Sequence, residues 1–573
     1  MSHPDPSQQP QWQHQPPGRP GQGFPPPQGP VPGQQYAAPG VPGGVPGAPG
    51  GVPGAPGGEC RGGPPPGQYS GGYGPPPGGG GGRNRWLIPA AAGVALVVMG
   101  GTVWATVSLV SFGGPQPESV LPGSSVAFGK VDLAIDGSQA MELIRFVDQL
   151  PAEMTEEMDE PDGDMTELFA EVFVEAFPES RQADVEEWIG QRAGVSVWPT
   201  ADAAAEVDEG SGLAMALALA VEDERRAEEE LASLASGDDT LHFEMTNGFA
   251  LLSTSEAALA DRAAQVDEHG SLEDSDVYSG DVADVPGGSL AVGWTDFTRL
   301  MEVEGVAAEI QSGMAAETGE VSGRATASLR IDGDYLEARA DVFDFEVDSA
   351  DLAWLAETPG ASVAAMESLP ESTVMAFGAS GLDTALTDAY ESDEIPFLSG
   401  SGEMQEMERE FNAMGAPLPE GFTNLLGSST AFGVTGMDLD SFFGSAYGGG
   451  EEFSFQYRAV GGDEGVLGDF VENVAASDPY ATPPGVGTDG DAVVVASGSS
   501  ATGRLGDDPV FQQTMQEMDD AVVAGYFDMR QVLTDTEVQN PAEWGAMGLA
   551  VNVTEEGRRS GVELRWSPSG GGE

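Results

Sequence analysis

The 573-residue chain is poor in cysteine, histidine and base. Its one cysteine, Cys60, excludes a disulfide framework, a four-cysteine zinc site and a CxxC redox centre. Its 22 Lys+Arg stand against 94 Asp+Glu, a formal charge of −72, which excludes nucleic acid as a partner because phosphate backbones require a basic surface. Lys130 is the single lysine. Beyond residue 112 only His242 and His269 remain; they form no HExxH and have no cysteine beside them, so they read as structural, His242 in the strand-like Leu241–Met245 and His269 in a polar loop. No GxSxG, SxxK, P-loop or GxGxxG-after-strand pattern occurs. Gly448–Gly450 is followed by no Lys-Ser/Thr, and Ser428-Ser429 has no identifiable base. No catalytic, cofactor-binding or metal-ligating residue is therefore assigned, and the expectation is a protein that is not an enzyme.

Three kinds of polypeptide follow one another. Residues 1–85 are Pro, Gly and Gln with two acids and four bases, and Gly-Val-Pro-Gly-Ala-Pro-Gly occurs at 44–50 and again at 51–57. Such a composition cannot bury enough apolar surface to offset its ordering entropy, so a disordered tail is expected, a spacer whose Pro25-Pro26-Pro27 could dock in an aromatic groove. Cys60 follows Gly57-Gly58-Glu59 with no apolar run upstream, which argues against a lipoprotein.

Residues 86–112, WLIPAAAGVALVVMGGTVWATVSLVSF, are 27 residues without an ionisable side chain. About 20 apolar residues suffice to cross a bilayer core, so this is read as one uncleaved transmembrane helix. Arg83 and Arg85 precede it, and Glu118, Lys130, Asp132 and Asp136 follow it. The positive-inside rule then puts the tail in the cytoplasm and the remainder outside the plasma membrane.

Residues 113–573 carry 92 acids and 18 bases, a net charge of −74. They read as a duplicated α+β ectodomain with mixed, mostly antiparallel sheet, the first repeat at 116–346 and the second at 365–568. Ser119–Gly129 matches Ser368–Gly378, and Trp188–Trp198 matches Leu425–Val434. Asn247–Ser253 matches Asp489–Val495, and Ser289–Phe297 matches Asp520–Asp528. Each repeat closes in a hairpin: Ala325–Arg330 and Leu336–Val342 around Asp332-Gly333, then Met547–Val553 and Val562–Trp566 around Glu555-Glu556-Gly557. The common order of these weak matches carries the reading.

Strands are expected at Val126–Lys130, Leu213–Val221 and Phe249–Leu252, and helices at Glu222–Leu234 and Glu256–Ala264. Apolar stripes at helical spacing run through Ala140, Leu143, Ile144, Val147 and Leu150, and through Leu168, Phe169, Val172, Phe173 and Phe177. A third comprises Met404, Met407, Phe411 and Met414. All three are read as core. Asp159–Asp164 and Asp332-Gly333-Asp334 place carboxylates beside glycine without the twelve-residue calcium loop, so divalent cations are expected only as a loose cloud on the acidic surface. That acidity reads as a solvated surface suited to salt, which screens its self-repulsion.

Leu121-Pro-Gly-Ser-Ser-Val-Ala-Phe-Gly-Lys-Val-Asp132, placed after a Pro/Gly-rich tail and one apolar span, resembles the actinobacterial membrane proteins grouped as domain of unknown function 3352, as does Asn247–Leu259. The resemblance covers about residues 116–570 and implies an anchored extracytoplasmic domain in a high-GC Gram-positive-like envelope; it brings no activity, ligand or catalytic residue. The function expected is a non-catalytic single-pass membrane protein whose acidic domain binds an envelope protein or a small ligand. The alternatives are a carrier of apolar molecules with a pocket between the halves, and an envelope hydrolase using two close carboxylates of divergent acidity.

Overall fold

A computed structural model describes residues 115–132, 145–156, 165–178, 180–237, 240–306, 321–347, 361–392, 401–435, 454–476, 483–498, 503–535, 538–554 and 558–569. The tail 1–85, the apolar span 86–112, Asp159–Asp164, Gly448–Gly450 and the turn Glu555–Gly557 lie outside them. Among the described residues no helix is long and apolar enough to cross a membrane.

Eight strands precede residue 348: β1 Ala127–Asp132, β2 Ile189–Pro199, β3 Leu213–Val221, β4 His242–Thr246, β5 Phe249–Ser253, β6 Ala291–Asp296, β7 Val321–Asp332 and β8 Tyr335–Val347. Eight follow: β9 Thr373–Ser380, β10 Ser429–Thr435, β11 Ser454–Val460, β12 Gly485–Asp489, β13 Ala492–Ala496, β14 Val523–Asp528, β15 Ala546–Thr554 and β16 Arg559–Ser567. They form one 16-stranded sheet, β12-β13-β11-β10-β9-β14-β15-β16-β8-β7-β6-β1-β2-β3-β5-β4, with antiparallel neighbours throughout. The fold is mixed helix and strand around a large antiparallel sheet. Read outward from the central β8–β16 pair, each half runs eighth, seventh, sixth, first, second, third, fifth and fourth strand.

Local chemistry explains the turns and caps. Asn247 and Gly248 both take positive φ, 49° and 83°, which closes the β4–β5 hairpin with the twist that antiparallel strands favour. Ser255 accepts from the Ala258 amide at 3.0 Å and opens the helix Glu256–His269. Asp296 ends β6 and caps Phe297–Met301; Asp528 ends β14 and caps Met529–Val532 in the same way. Leu272–Asp274 and then Asp276–Val282 precede β6, as Leu505–Asp507 and Pro509–Thr514 precede β14.

β3 shows how the first half is layered. Met215, Leu217 and Leu219 pack against the helices Met165–Ala176 and Glu224–Gly237, while Ala214, Ala216 and Ala218 pack with Leu259 and Tyr278 of the helices on the other face. In the second half Val363 and Met366 of Ser362–Met366 and Phe511 of Pro509–Thr514 cover Ala376, Ala431, Ala524 and Tyr526. The methionine stripe Met404, Met407 and Phe411 packs on Phe422, within its own half.

Several expectations shift in detail. The helix expected from Glu222 begins at Glu224 and runs to Gly237. His269 is the last residue of the helix Glu256–His269 and not part of a loop. Val172 is exposed while Phe173 and Phe177 are core. The helical stripe through Ala140–Leu150 is described only from residue 145; there Phe146 is buried and meets Trp566 of β16 edge-on at 6.0 Å. The ladder also moves one sequence match by a residue. Four residues before the capping Asp296 and Asp528 stand Val292 and Ala524, which pair with Lys130 and Gly378. Lys130 thus shares its place with Gly378, and Phe128 with Ala376, whereas residue identity had set Phe128 over Phe377. Phe377 lies on the opposite face and is 43% exposed.

Candidate functional site

The chain's single lysine lies on β1, between Gly194 of β2 and Val292 of β6. The period-two pleat puts Phe128, Lys130 and Asp132 on one face. Onto that face the short 3-10 turn Pro117–Ser119 descends beside β2. It comes this close because residue 194 is glycine: a Cβ there would stand 2.5 Å from Pro117 Cβ. The turn delivers Glu118 to Lys130.

The polar contacts converge. Lys130 Nζ donates to Glu118 Oε1 at 2.6 Å and to Gln116 Oε1 at 3.2 Å. Gln116 Nε2 donates to Asp132 Oδ2 at 3.3 Å, and Arg192 Nε donates to the same oxygen at 2.9 Å. Glu118 is only 8% exposed. Its Oε2 is wholly buried. Tyr278 stands beside the pair, held edge-on by Phe128 at 5.5 Å and Trp294 at 5.6 Å. Burial, then the charge of Glu118 and a hydrogen bond to it, push the Tyr278 phenol well above its ordinary range, so it stays neutral.

Gln116, Glu118, Lys130, Asp132 and Tyr278 line a cavity of about 310 Å³ whose remaining wall is Val282, Val285, Pro286, Gly288, Ser289 and Val292. Charged and aliphatic side chains share its wall, with Val292 directly across the ladder from Lys130. At the matching places the second half has Gly378 for Lys130 and, three residues after the helix-capping Ser275 and Asp508, Phe511 for Tyr278. Helix Ser362–Met366 lies so tightly on Gly378 that a Cβ would come 2.2 Å from the Ser362 carbonyl oxygen. The place of the lysine is filled there by backbone.

A second constellation occupies the seam. The charged face of β7, β8 and β16 holds Arg330, Glu337, Arg339, Asp341, Arg559, Glu563 and Arg565. Arg330 grips Glu337 with two bonds of 2.7 and 2.9 Å, and Arg339 grips Asp341 at 2.8 and 3.0 Å. Arg565 stands 3.5 Å from Glu337, pairs with Glu563, donates to the Gln516 carbonyl and covers the Tyr335 ring at 4.4 Å. Burial opposes ionisation of Glu337, yet its bonds to Arg330 and the Arg330 and Arg565 charges hold its carboxyl below the usual range. Burial, partly offset by Arg565 and reinforced by Glu337, pushes Glu563 up. These are two carboxylates of divergent acidity, but Glu337 is 2% exposed and neither lines the adjoining 400 Å³ cavity. That cavity is walled by Asp284, Arg339, Asp341, Asn552, Thr554, Arg559 and Gly561.

The residues weighed from sequence alone do not assemble. His242 sits on the edge strand β4 and His269 at a helix end. Asp332 pairs with Arg330, and Asp334 accepts from Gln149. Ser428 Oγ donates to the Val460 carbonyl at 3.3 Å. Among the described residues no group of three or more His, Cys, Asp or Glu side chains could hold a metal ion. The sequence reading missed Glu118 and Tyr278; the signal that could have found them is the solitary lysine, a cation with 92 competing acids whose partner had to be fixed by the fold. No family model, no curated protein and no solved structure matches the chain.

Proposed function

We propose that the chain is a non-catalytic, single-pass membrane protein whose acidic extracytoplasmic domain holds a small ligand in the Lys130–Glu118 cavity. The observation that carries the ligand reading is the Lys130–Glu118 ion pair, at 2.6 Å, on the wall of a cavity of about 310 Å³. The Lys130 amine is engaged in an ion pair and acts towards a ligand as a fixed cation.

The anchored, outward-facing arrangement rests on the uncharged 27-residue span and the arginines before it, and on the likeness to the actinobacterial family. The duplication is supported by the mirrored strand order about β8–β16 and by the matched capping aspartates. We read one half as plain scaffold and the other as the same scaffold opened into a site. A carrier of apolar molecules between the halves is disfavoured by the charged lining at the seam, and a carboxylate hydrolase by the burial of Glu337.

Native mass spectrometry of the full-length chain, purified from an actinobacterial host, tests the reading. A bound small molecule of defined mass, absent from Lys130→Met, supports it. Identical apo masses for both proteins would overturn it.

A further inference from the structure

We infer that the second half of the sheet carries a docking face for a basic amphipathic helix of another protein, on the side of the sheet opposite the charged seam. This face is separate from the Lys130–Glu118 cavity.

The ladder defines it row by row. Phe377 of β9 lies beside Gly525 of β14, Gly525 beside Leu549 of β15, and Leu549 beside Leu564 of β16. Two residues along, Ala379, Val523, Val551 and Val562 make the next row on the same face. Ala338 and Ala340 of β8 continue the two rows. Neither row holds an ionisable side chain. Phe377 and Val562 are each 43% exposed and Leu564 39%, so three of the six large apolar side chains exposed among the described residues stand together here. Ten positions over five strands give a footprint of about 300 Å², some 19 Å long. An open apolar patch of that size on one chain marks a binding surface.

The first half shows what such a face takes. The mirrored strand order sets β1, β6 and β7 against β9, β14 and β15. Counting back from the capping Asp296 and Asp528 puts Ala291 with Val523. Val131, Ala291 and Leu329 then answer to Ala379, Val523 and Val551. Phe169 of the helix Met165–Ala176 packs with Leu329 against Val131 and Ala291, which are 8% and 1% exposed. The helix Ser401–Ala413 precedes β10 as Met165–Ala176 precedes β2, but its Met404, Met407 and Phe411 pack on Phe422. Val562, Leu564 and Phe377 stay open to solvent.

Size and charge then describe the occupant. Met165–Ala176 has 12 residues, about 18 Å at 1.5 Å per residue, which matches the five strands. A helix of that length with apolar anchors at i, i+3, i+4 and i+7 fills the face. Residues 113–573 carry 92 acids and 18 bases, so a basic polar side is attracted, whereas a second copy of this chain is repelled.

Fluorescence anisotropy with the full-length chain in phosphatidylcholine nanodiscs, blanked with empty nanodiscs, tests this. The probe is a labelled peptide of about 14 residues with Leu and Phe at helical spacing and Lys and Gln elsewhere. One comparator shuffles the same residues so that the apolar ones share no face. Saturable binding is expected, at least about tenfold weaker for the shuffled peptide. Phe377→Gln and Leu564→Gln should each weaken it about tenfold, while Val277→Gln, equally exposed on the helix Asp276–Val282, should leave it unchanged. If the two face variants fail to fold, the shuffled comparator on the natural chain decides alone. Equal binding of the shuffled peptide, or unaltered binding by both face variants, would overturn the proposal. So would a dimer that Leu564→Gln dissociates, which makes a second copy the occupant, or a labelled fatty acid, in place of the peptide, whose binding Leu564→Gln abolishes.

Discussion

Arg565→Met removes the cation that β16 contributes to the seam while keeping most of its stem. Arg565 is 3% exposed, so little of its interaction energy is lost to solvent. Four groups lose a partner: Glu337 at 3.5 Å, Glu563, the Gln516 carbonyl and the Tyr335 ring. Breaking a buried pair by deleting one member costs about 3–5 kcal/mol. Two facts place this case at the lower end. Glu337 keeps its two-bond grip from Arg330, so it is not orphaned. Glu563, whose carboxyl burial already pushes up, is the more easily neutralised of the two acids as pH falls. The expected cost is about 3 kcal/mol, concentrated where β8 pairs with β16. Amide hydrogen exchange followed by mass spectrometry reads it locally. Protection of peptides covering 335–347 and 559–567 should fall roughly a hundredfold at neutral pH, since 1.4 kcal/mol is tenfold. Peptides of β4 and β5, at the far edge, should change little. Because Glu563 protonates, the loss should be smaller at about pH 5 than at pH 7. A fall under about threefold at the seam, or an equal fall in β4 and β5, would refute the reasoning.

Four further outcomes are expected. Gly194→Ala drives a methyl against Pro117, displaces the turn that carries Glu118, and should weaken ligand binding by about tenfold or more while Lys130 is untouched, as calorimetry would show. Gly378→Ala meets the Ser362 carbonyl oxygen at 2.2 Å and should cost about 3 kcal/mol, whereas Gly333→Asn, at a turn position with φ of 61° and open space, should cost less than about 1; thermal melting compares them. Glu337→Gln should lower the melting temperature at neutral pH. The folded carboxyl is more acidic than the unfolded one, so the natural chain's advantage is full above the unfolded value of about 4.3 and vanishes as pH falls through the folded one; a gap constant with pH contradicts this. Cys60, as the sole thiol, reports topology: an impermeant maleimide should label it only after the membrane is opened, and labelling of intact cells would reverse the proposed orientation.

Much of the fold was legible because its signals are local. Asp332-Gly333 between alternating runs gave the β7–β8 hairpin, and the apolar run Leu213–Val221 gave a strand buried on both faces. Register was less legible. Residue identity placed Phe128 over Phe377, but a strand has period two, so a one-residue slip sends a side chain to the other face, and the hydrogen-bonded ladder decides it. The seam left a trace that went unused: Glu337, Arg339 and Asp341 alternate with alanine, as Arg559, Glu563 and Arg565 alternate with small or apolar residues, which marks two strands with one charged face each. That the two faces pair with each other is a tertiary fact. The site was least legible. Glu118 and Tyr278 lie 12 residues before and 148 residues after Lys130, and they meet through a glycine on a third segment.

The solitary lysine also offers the most direct test. Besides the N-terminus, Lys130 is the chain's only primary amine, so an acetylating ester adds at most two groups and the N-terminal one serves as internal control. Labelling of the full-length protein with and without the small-molecule fraction of its own envelope would be followed by intact mass. A ligand seated between Glu118 and Lys130 should slow acetylation of Lys130 about tenfold at ten times its Kd, leaving the N-terminal rate unchanged. Equal rates at Lys130 in both samples would contradict a ligand site at this cavity.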